Sequence, residues 1–298
     1  MDALSCALFP ASCRLCGSPL PHISSAPICD ACWSEFAVQS GNHCARCGDA
    51  LDSPAASQAG LTLCRICRLA PPLFARAVTY GPYEGRMRAA IHALKYDRMH
   101  GAARKLGRML AEAIGQLAEG APGEVLVVPV PLYRAKRKER GFNQARSLAE
   151  HAIAALGKTH PAWRLTLASS TLMRLRATRS QAGLTPRQRR QNVRGAFNVS
   201  DPSAVAGKCV LIVDDIFTTG ATARAAAQAL AKAGAATIWV ATLARAQMFS
   251  QRGRGSRNAV QSYEVEVAGD REVFSDAPEE VLQLANVRSS PTTDQPSF

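Results

Sequence analysis

The chain has 298 residues, enough for one sizeable buried core and a smaller unit beside it. Hydrophobic residues make up 47% and charged residues 20%, and no apolar run reaches the roughly 18 residues of a membrane span, so we predict no transmembrane segment. The net charge of +13 favours polyanionic partners: nucleic acid, phosphorylated metabolites or an anionic membrane surface. No basic segment precedes the first apolar residues, so we predict no signal peptide and expect the chain in the cytoplasm.

Eight of the ten cysteines form four Cys-x-x-Cys pairs, all before residue 70. The pairs are Cys13 and Cys16, Cys29 and Cys32, Cys44 and Cys47, and Cys64 and Cys67. Two thiolates at this spacing point at one metal ion, and two pairs complete a closed tetrahedral site of the structural kind. We therefore predict a double zinc-binding module in residues 1–70 with two structural Zn²⁺ ions. Sequential pairing is preferred, although the spacing also allows interleaved pairing, or one ion with spare thiols.

Strands and helices alternate from residue 71 to residue 246. Strands are predicted at 75–83, 124–130, 163–169, 210–213 and 236–243, and helices at 84–96, 102–117, 143–156 and 221–234. Apolar strands between amphipathic helices predict a parallel sheet with helices on its faces. Beyond residue 247 the pattern decays into a partly disordered tail with a possible strand at 263–268.

Basic residues cluster in two places. Five cations lie between Arg134 and Arg140, and seven arginines lie between Arg174 and Arg194. The second segment (176–196) has no hydrophobic periodicity, which predicts a lid or a disordered loop. These charges favour phosphate contacts, and the alternative is a generally basic solvated surface.

Residues 210–222 are the most informative stretch. Four apolar residues predict a central strand, and Asp214 and Asp215 follow at its carboxyl end, where open parallel sheets bind their ligands. Gly220 has no side chain, so backbone amides can approach an anion closely. The helix after it points the positive end of its dipole at the same anion. The hydroxyls of three threonines add donors. A phosphate beside two carboxylates that suit neutral hydroxyls describes a ribose 5-phosphate, whereas a plain helix N-cap needs only one such residue.

This segment resembles the phosphoribosyl-pyrophosphate-binding motif of type I phosphoribosyltransferases. The resemblance implies that the two aspartates hold the ribose hydroxyls, that residues 216–222 surround the 5-phosphate, and that Mg²⁺ binds with the ligand. It also implies a diphosphate loop at residues 128–132. The predicted ligand residues are Asp214, Asp215, Ile216, Phe217, Thr218, Thr219, Gly220, Ala221, Thr222, Pro129, Val130 and Pro131.

Taken together, the features resemble the ComF family, which is known from natural transformation and includes relatives called GntX. The resemblance covers about residues 10–246 and rests on the cysteine pairs, on Leu94-Lys95-Tyr96, on Arg140-Gly141-Phe142-Asn143-Gln144 and on the motif at 210–222. It implies an α/β fold with two domains. A small zinc-ribbon domain with four-cysteine sites at 1–70 is followed by a parallel-sheet type I phosphoribosyltransferase-like (Rossmann-like) domain at 71–246. Residues 247–298 remain as an atypical tail.

The same resemblance implies handling of single-stranded DNA, with a helicase-like protein as a partner. The predicted nucleic-acid residues are Arg137, Lys138, Arg140, Arg179 and Arg189. Two other readings stay open: a phosphoribosyltransferase of nucleotide metabolism acting on an unidentified base or amine, and a non-catalytic sensor of the sugar phosphate. The region of Tyr80 and Tyr83 is the only aromatic candidate for a base clamp, which disfavours a salvage enzyme.

Several matched residues have simpler explanations. Arg140 and Asn143 would also serve as helix caps around Gly141. Lys95 would also extend along a helix surface with its ammonium group in water, which is the preferred explanation. His43 is expected to be spare beside the eight cysteines.

Overall fold

The computed structural model describes residues 11–22, 24–51, 57–58, 61–96, 99–178 and 185–246, which fall in one compact unit. None of the helices within these ranges is long and apolar enough to cross a membrane. The predicted tail at 247–298, with its possible strand, lies outside the described residues.

Eight α-helices and nine strands are described. The helices are α1 (Asp30–Ser34), α2 (Arg65–Leu69), α3 (Gly85–Tyr96), α4 (Ala102–Gly115), α5 (Arg134–Arg140), α6 (Gln144–Thr159), α7 (Pro186–Val193) and α8 (Ala221–Lys232). The strands are β1 (Ser57–Gln58), β2 (Leu61–Thr62), β3 (Arg76–Pro82), β4 (Glu124–Pro129), β5 (Arg164–Leu167), β6 (Leu172–Arg174), β7 (Phe197–Val199), β8 (Cys209–Phe217) and β9 (Thr237–Arg245).

Five strands form one parallel sheet in the spatial order β3, β9, β8, β4, β5, which confirms the predicted α/β architecture. Helix α6 connects β4 to β5 in one direction, and α8 connects β8 to β9 in the other. The boundary between β4 and β8 is therefore the topological switch point, where a crevice opens outside the carboxyl ends of the strands. Pro129 pairs with Val213 there, so Asp214 lies directly at this crevice.

Both faces of the sheet are covered, which explains the continuous apolar sequence of β8. Leu211 and Val213 pack on one face with α3, α4, α6 and the first cysteine segment (residues 11–36). Val210 and Ile212 pack on the other face with α8, the β6–β7 hairpin and the second cysteine segment (residues 43–70). The two cysteine segments therefore pack on opposite faces of the same sheet.

The structure adds to or changes the sequence predictions in three segments. Part of the Arg-rich stretch is helix α7, which starts with a Thr185–Gln188 capping box, so this part is not a disordered loop, whereas its role as a lid stays a prediction. The basic run forms the short helix α5, ended by Gly141 in the left-handed conformation. Strand β8 continues through both aspartates to Phe217, because β9 pairs with it along that whole length, so the turn is shorter than predicted.

Candidate functional site

The acidic pair lies at the end of the central strand. Asp214 pairs with Thr242 of β9, and its Oδ1 accepts a hydrogen bond of 2.9 Å from the Asp215 amide. Asp215 is 9% exposed, and Asp214 is half-buried. Burial, followed by the neighbouring Asp215 charge, raises the pKa of Asp214 to about 7. A carboxylate pair held this closely favours a cation or hydroxyl donors beside it.

Lys95, in the last turn of α3, supplies that cation. Its Nζ lies 3.0 Å from Asp215 Oδ2, and its side chain is only 18% exposed. Burial opposes the charged form of Lys95, but the charge and hydrogen bond of Asp215, together with the Asp214 charge, outweigh burial and raise the pKa of the amine. The surface position preferred for Lys95 from the sequence is therefore wrong, because the sheet brings the helix end against β8.

Arg174, at the end of β6, is a second cation near the pair and interacts electrostatically with Asp214. Its guanidinium stacks on Phe197 at 5.6 Å and donates to the Thr178 hydroxyl. Burial lowers the pKa of Arg174. The sequence placed this residue only in a general basic cluster, because the hairpin that aims it at the aspartates is a tertiary feature.

The turn after β8 consists of residues 218–220. Gly220 has φ of 73°, and as the N-cap of α8 it has no side chain to occupy the first-turn amides. A Cβ on Gly220 would lie 2.7 Å from the Phe217 ring, so only glycine fits here. Thr218, Thr219 and Thr222 are half-buried around the turn. A short turn that leads into a helix N-terminus suits an anion such as a phosphate.

Residues 129–131 lie at the same crevice, but their backbone is already engaged. The Val130 amide donates to the Val213 carbonyl at 2.8 Å, and the Val130 carbonyl accepts from Asn143 Nδ2 at 3.0 Å. Pro129 and Pro131 have no amide hydrogen. These three residues would therefore contribute shape rather than backbone donors to a diphosphate.

Arg140 is half-buried and is held by two other side chains. Its Nη1 donates to Gln144 Oε1 at 3.2 Å and its Nη2 donates to the Tyr96 hydroxyl at 3.3 Å. The buried nitrogens without a hydrogen-bond partner among the described residues include Arg140 Nε, Gln144 Nε2 and Arg174 Nε. Because buried donors are normally satisfied, they suit water or an acceptor-rich ligand.

The structure decides between the explanations that the sequence allowed for Asn143 and for the tyrosines. Asn143 does cap α6, since its Oδ1 accepts from the Ala145 amide at 3.1 Å. Tyr80 is buried in the core, which removes it as a base clamp, whereas Tyr96 is 49% exposed and stacks on Arg140 at 5.0 Å. Tyr83 is half-buried against the core.

The predicted nucleic-acid residues lie in different places. Arg137 and Lys138 are exposed on α5, and Arg189 is half-buried on α7. Arg179 lies outside the described residues. The structure therefore puts two of these cations on the surface of α5, the helix that follows β4 and also carries Arg140.

The eight paired cysteines form two clusters: the first cysteine cluster (Cys13, Cys16, Cys29 and Cys32) and the second cysteine cluster (Cys44, Cys47, Cys64 and Cys67). The sulfurs of each cluster all lie within 4.8 Å of one another, so the sequential pairing is the one observed. His43 belongs to neither cluster and pairs its backbone with Ala50.

The cluster geometry fits Zn²⁺. A tetrahedron with Zn–S bonds of about 2.3 Å has edges of about 3.8 Å, and the Sγ atoms of Cys13 and Cys32 are 3.8 Å apart. The Sγ atoms of Cys47 and Cys64 are separated by 3.7 Å. Gly17 and Gly48 follow two of the pairs with φ of 76° and 70°. All four ligands would be sulfur, which makes both sites structural.

Comparison with known proteins gives two matching families. The chain matches "Double zinc ribbon domain" over residues 4–68 and "Phosphoribosyl transferase domain" over residues 143–280. "DNA utilization protein YhgH" of Salmonella typhi is 34% identical over 238 residues, which cover 79% of this chain and 97% of that protein.

Two more distant relatives are named for competence. "Competence protein F" of Haemophilus influenzae is 28% identical over 228 residues, 76% of this chain and 93% of the relative. "Competence protein ComFC" of Bacillus subtilis is 27% identical over 226 residues, 73% of this chain and 84% of the relative. With the fold and the two cysteine clusters, these matches confirm the resemblance drawn from the sequence: the chain belongs to the ComF family, in which a double zinc ribbon precedes a type I phosphoribosyltransferase-like α/β domain.

Proposed function

We propose that this chain binds phosphoribosyl pyrophosphate and single-stranded DNA in the cytoplasm, and that it acts in DNA uptake during natural transformation. The observation that carries the ligand assignment is the acidic pair on β8, followed within five residues by the left-handed Gly220 and the start of α8. The names of the relatives, which refer to competence and DNA utilization, support the cellular role.

In the proposed complex, Asp214 and Asp215 accept hydrogen bonds from the 2- and 3-hydroxyls of the ribose. The 5-phosphate takes the turn at residues 218–220 and the N-terminus of α8. The diphosphate lies toward Arg140 and Gln144, whose Nε and Nε2 atoms are buried without a partner in the part of the chain that the structure describes. The carboxylates of Asp214 and Asp215 have the oxygen chemistry that Mg²⁺ accepts, and a Mg²⁺ ion bound with the ligand would neutralise diphosphate charge.

The cations Arg137 and Lys138 support the DNA assignment, because they are exposed on α5, a helix with no buried residue that follows β4 in the chain. Phosphate contacts made by such residues are independent of base sequence and are weakened by salt. A competence helicase-like protein is the partner that the family implies.

Calorimetric titration of phosphoribosyl pyrophosphate with Mg²⁺ tests the ligand assignment. Changing Asp214→Asn with Asp215→Asn removes two charged acceptors, so we expect affinity to fall about 100-fold. Glu112→Gln with Glu119→Gln, two exposed glutamates, makes the same charge change and should leave affinity unchanged. If the wild-type protein fails to bind at millimolar ligand, the proposal is wrong.

The second candidate function is phosphoribosyl transfer to a base or amine. The observation that favours it is the exposed Tyr96 ring beside Arg140, at the crevice, where an acceptor could stack. Release of pyrophosphate with one defined acceptor in a screen of nucleobases and amines would establish it. Binding without release in the whole screen would support the non-catalytic reading.

A further inference from the structure

The second cysteine cluster and the phosphate turn share the walls of one small cavity. Cys47, Cys64 and Cys67 line one side, and Phe217, Thr218 and Thr219 line the other. The residues lining this cavity include none from the first cysteine segment within the part of the chain described here. A structural metal site is thus placed directly behind the residues that would hold the 5-phosphate.

Arg245, the last residue of β9, bridges the two walls from within the core. It is 3% exposed, and its Nε and Nη2 lie 3.2 and 3.1 Å from Oδ1 of Asp49, which is 4% exposed. Nη2 also donates to Cys47 Sγ at 3.6 Å. A thiolate ligand of a bound metal keeps its negative charge, so the guanidinium is balanced by both Asp49 and the cluster.

On its other side, Arg245 sets the position of Phe217. The guanidinium lies 4.4 Å from the centre of the Phe217 ring, and the two residues face each other in the pairing of β8 with β9. A Cβ on Gly220 would lie only 2.7 Å from this ring. A shift of the guanidinium would therefore displace the ring against the turn at residues 218–220.

A second contact ties the far end of the turn to the same cysteine segment. Arg224, in the first turn of α8, donates from Nη1 to the Ala70 carbonyl at 2.8 Å, just after α2. The strand that enters the turn and the helix that leaves it are both anchored to the second cysteine segment.

We propose that Arg245 is a positioning residue that couples the second zinc site to the phosphate turn, so that metal and sugar diphosphate stabilise each other's binding. The inference rests on the proposed function. When the metal leaves, Cys47 loses its fixed position and charge. The buried guanidinium of Arg245 then loses one of its two negatively charged partners. Because coupling between the affinities of two binding sites is reciprocal, the ligand must also raise the affinity for that zinc ion, and we expect this gain to appear as slower zinc release.

The test follows zinc release from the wild-type protein into a chromophoric chelator, with and without saturating phosphoribosyl pyrophosphate. We expect two release phases of equal size, and we expect the ligand to slow one of them about fivefold or more. Calorimetry on the same sample shows whether the ligand is bound. Bound ligand with both phases unchanged would contradict the coupling alone, whereas absence of binding would remove the proposed function and the coupling with it.

Two variants test whether Arg245 carries the coupling. Arg245→Met with Asp49→Leu replaces the buried ion pair by apolar side chains, a change that buried pairs often tolerate. We expect this variant to keep two zinc ions, to lose the protection by ligand, and to bind the ligand about tenfold more weakly. Arg86→Met is the matched control, since Arg86 ties the first cysteine segment to α3 through the Leu15 carbonyl at 2.7 Å and should leave protection intact. Retention of protection in the double variant would overturn the assignment, and if that variant fails to fold, the wild-type measurement alone decides.

Discussion

Lys95 Nζ lies 3.0 Å from Asp215 Oδ2, and this ion pair joins the last turn of α3 to the central strand of the sheet. The pair places a positive charge next to the two carboxylates proposed to hold the ribose. A sugar diphosphate brings several negative charges toward Asp214 and Asp215, so the Lys95 charge reduces the repulsion that the ligand meets.

Lys95→Met removes that charge and leaves the two carboxylates without their nearest cation. We expect affinity for phosphoribosyl pyrophosphate to fall 10- to 100-fold, on the order of 1.4–2.7 kcal/mol. The measurement is calorimetric titration. Lys158→Met, on an exposed lysine near the end of α6, is the control and should bind normally. Equal affinities of the two variants would argue against a ligand role for Lys95.

Gly220→Ala is expected to destabilise the fold and to weaken ligand binding at least tenfold. The substitution adds a Cβ to a residue with φ of 73° and places it 2.7 Å from the Phe217 ring, and each effect costs about 1–2 kcal/mol. Gly207→Ala separates the backbone strain from the clash with the ring, because Gly207 has φ of 72° but nothing within 4 Å of the added carbon. Urea unfolding should show the larger loss for Gly220→Ala, and similar losses would mean that the ring does not constrain the turn.

The raised pKa of Asp214, about 7, predicts a pH-dependent contribution to stability. An aspartate in the unfolded chain titrates near about pH 4. Between these values the folded chain holds a proton that the unfolded chain has lost, so this contribution to the free energy of unfolding falls as the pH rises.

Asp214→Asn removes that contribution. Between about pH 5 and about pH 7.5 the wild type should therefore lose more stability than the variant, by on the order of 2 kcal/mol in urea unfolding. Identical pH dependence of the two proteins would mean that Asp214 titrates normally.

Metal analysis should give about two zinc ions per chain. The first cysteine cluster includes the exposed Cys16, whereas all four cysteines of the second cysteine cluster are buried. A chelator should therefore remove the first ion faster. Cys16→Ser should abolish the fast phase and leave the slow one, and the opposite result would reverse this assignment of the phases.

Single-stranded DNA binding should weaken as salt rises, with a slope of about −0.7 in log affinity per phosphate contact. Arg137→Ala with Lys138→Ala should therefore reduce the slope by about 1.4 in filter-binding assays. Lys208→Ala with Lys232→Ala is the charge-matched control, because both lysines are exposed near the opposite, amino end of β8. An unchanged slope for the α5 variant would place the DNA elsewhere.

Local patterns predicted most of the framework. The cysteine spacing gave the two clusters, and the apolar run before Asp214 gave the central strand with its acidic end. These signals lie in adjacent residues, where backbone geometry and spacing act directly. The length of β8 was underestimated because its pairing with β9, through Phe217 and Arg245, is not a local property.

The residues that the sequence did not reveal act across long distances in the chain. Arg245 and Asp49 are 196 positions apart, and neither belongs to a motif. Lys95 belongs to the matched segment Leu94-Lys95-Tyr96, but its ion pair with Asp215 becomes evident only when the helix is placed against β8. Such contacts depend on how helices and cysteine segments pack on the sheet, which periodicity does not specify.

A crystal structure of the protein grown with phosphoribosyl pyrophosphate and Mg²⁺ tests the central claim most directly. We predict the 5-phosphate at the amides of residues 218–222 and both ribose hydroxyls on the carboxylates of Asp214 and Asp215. An unoccupied turn at saturating ligand, or a sugar bound away from these two carboxylates, would contradict the account.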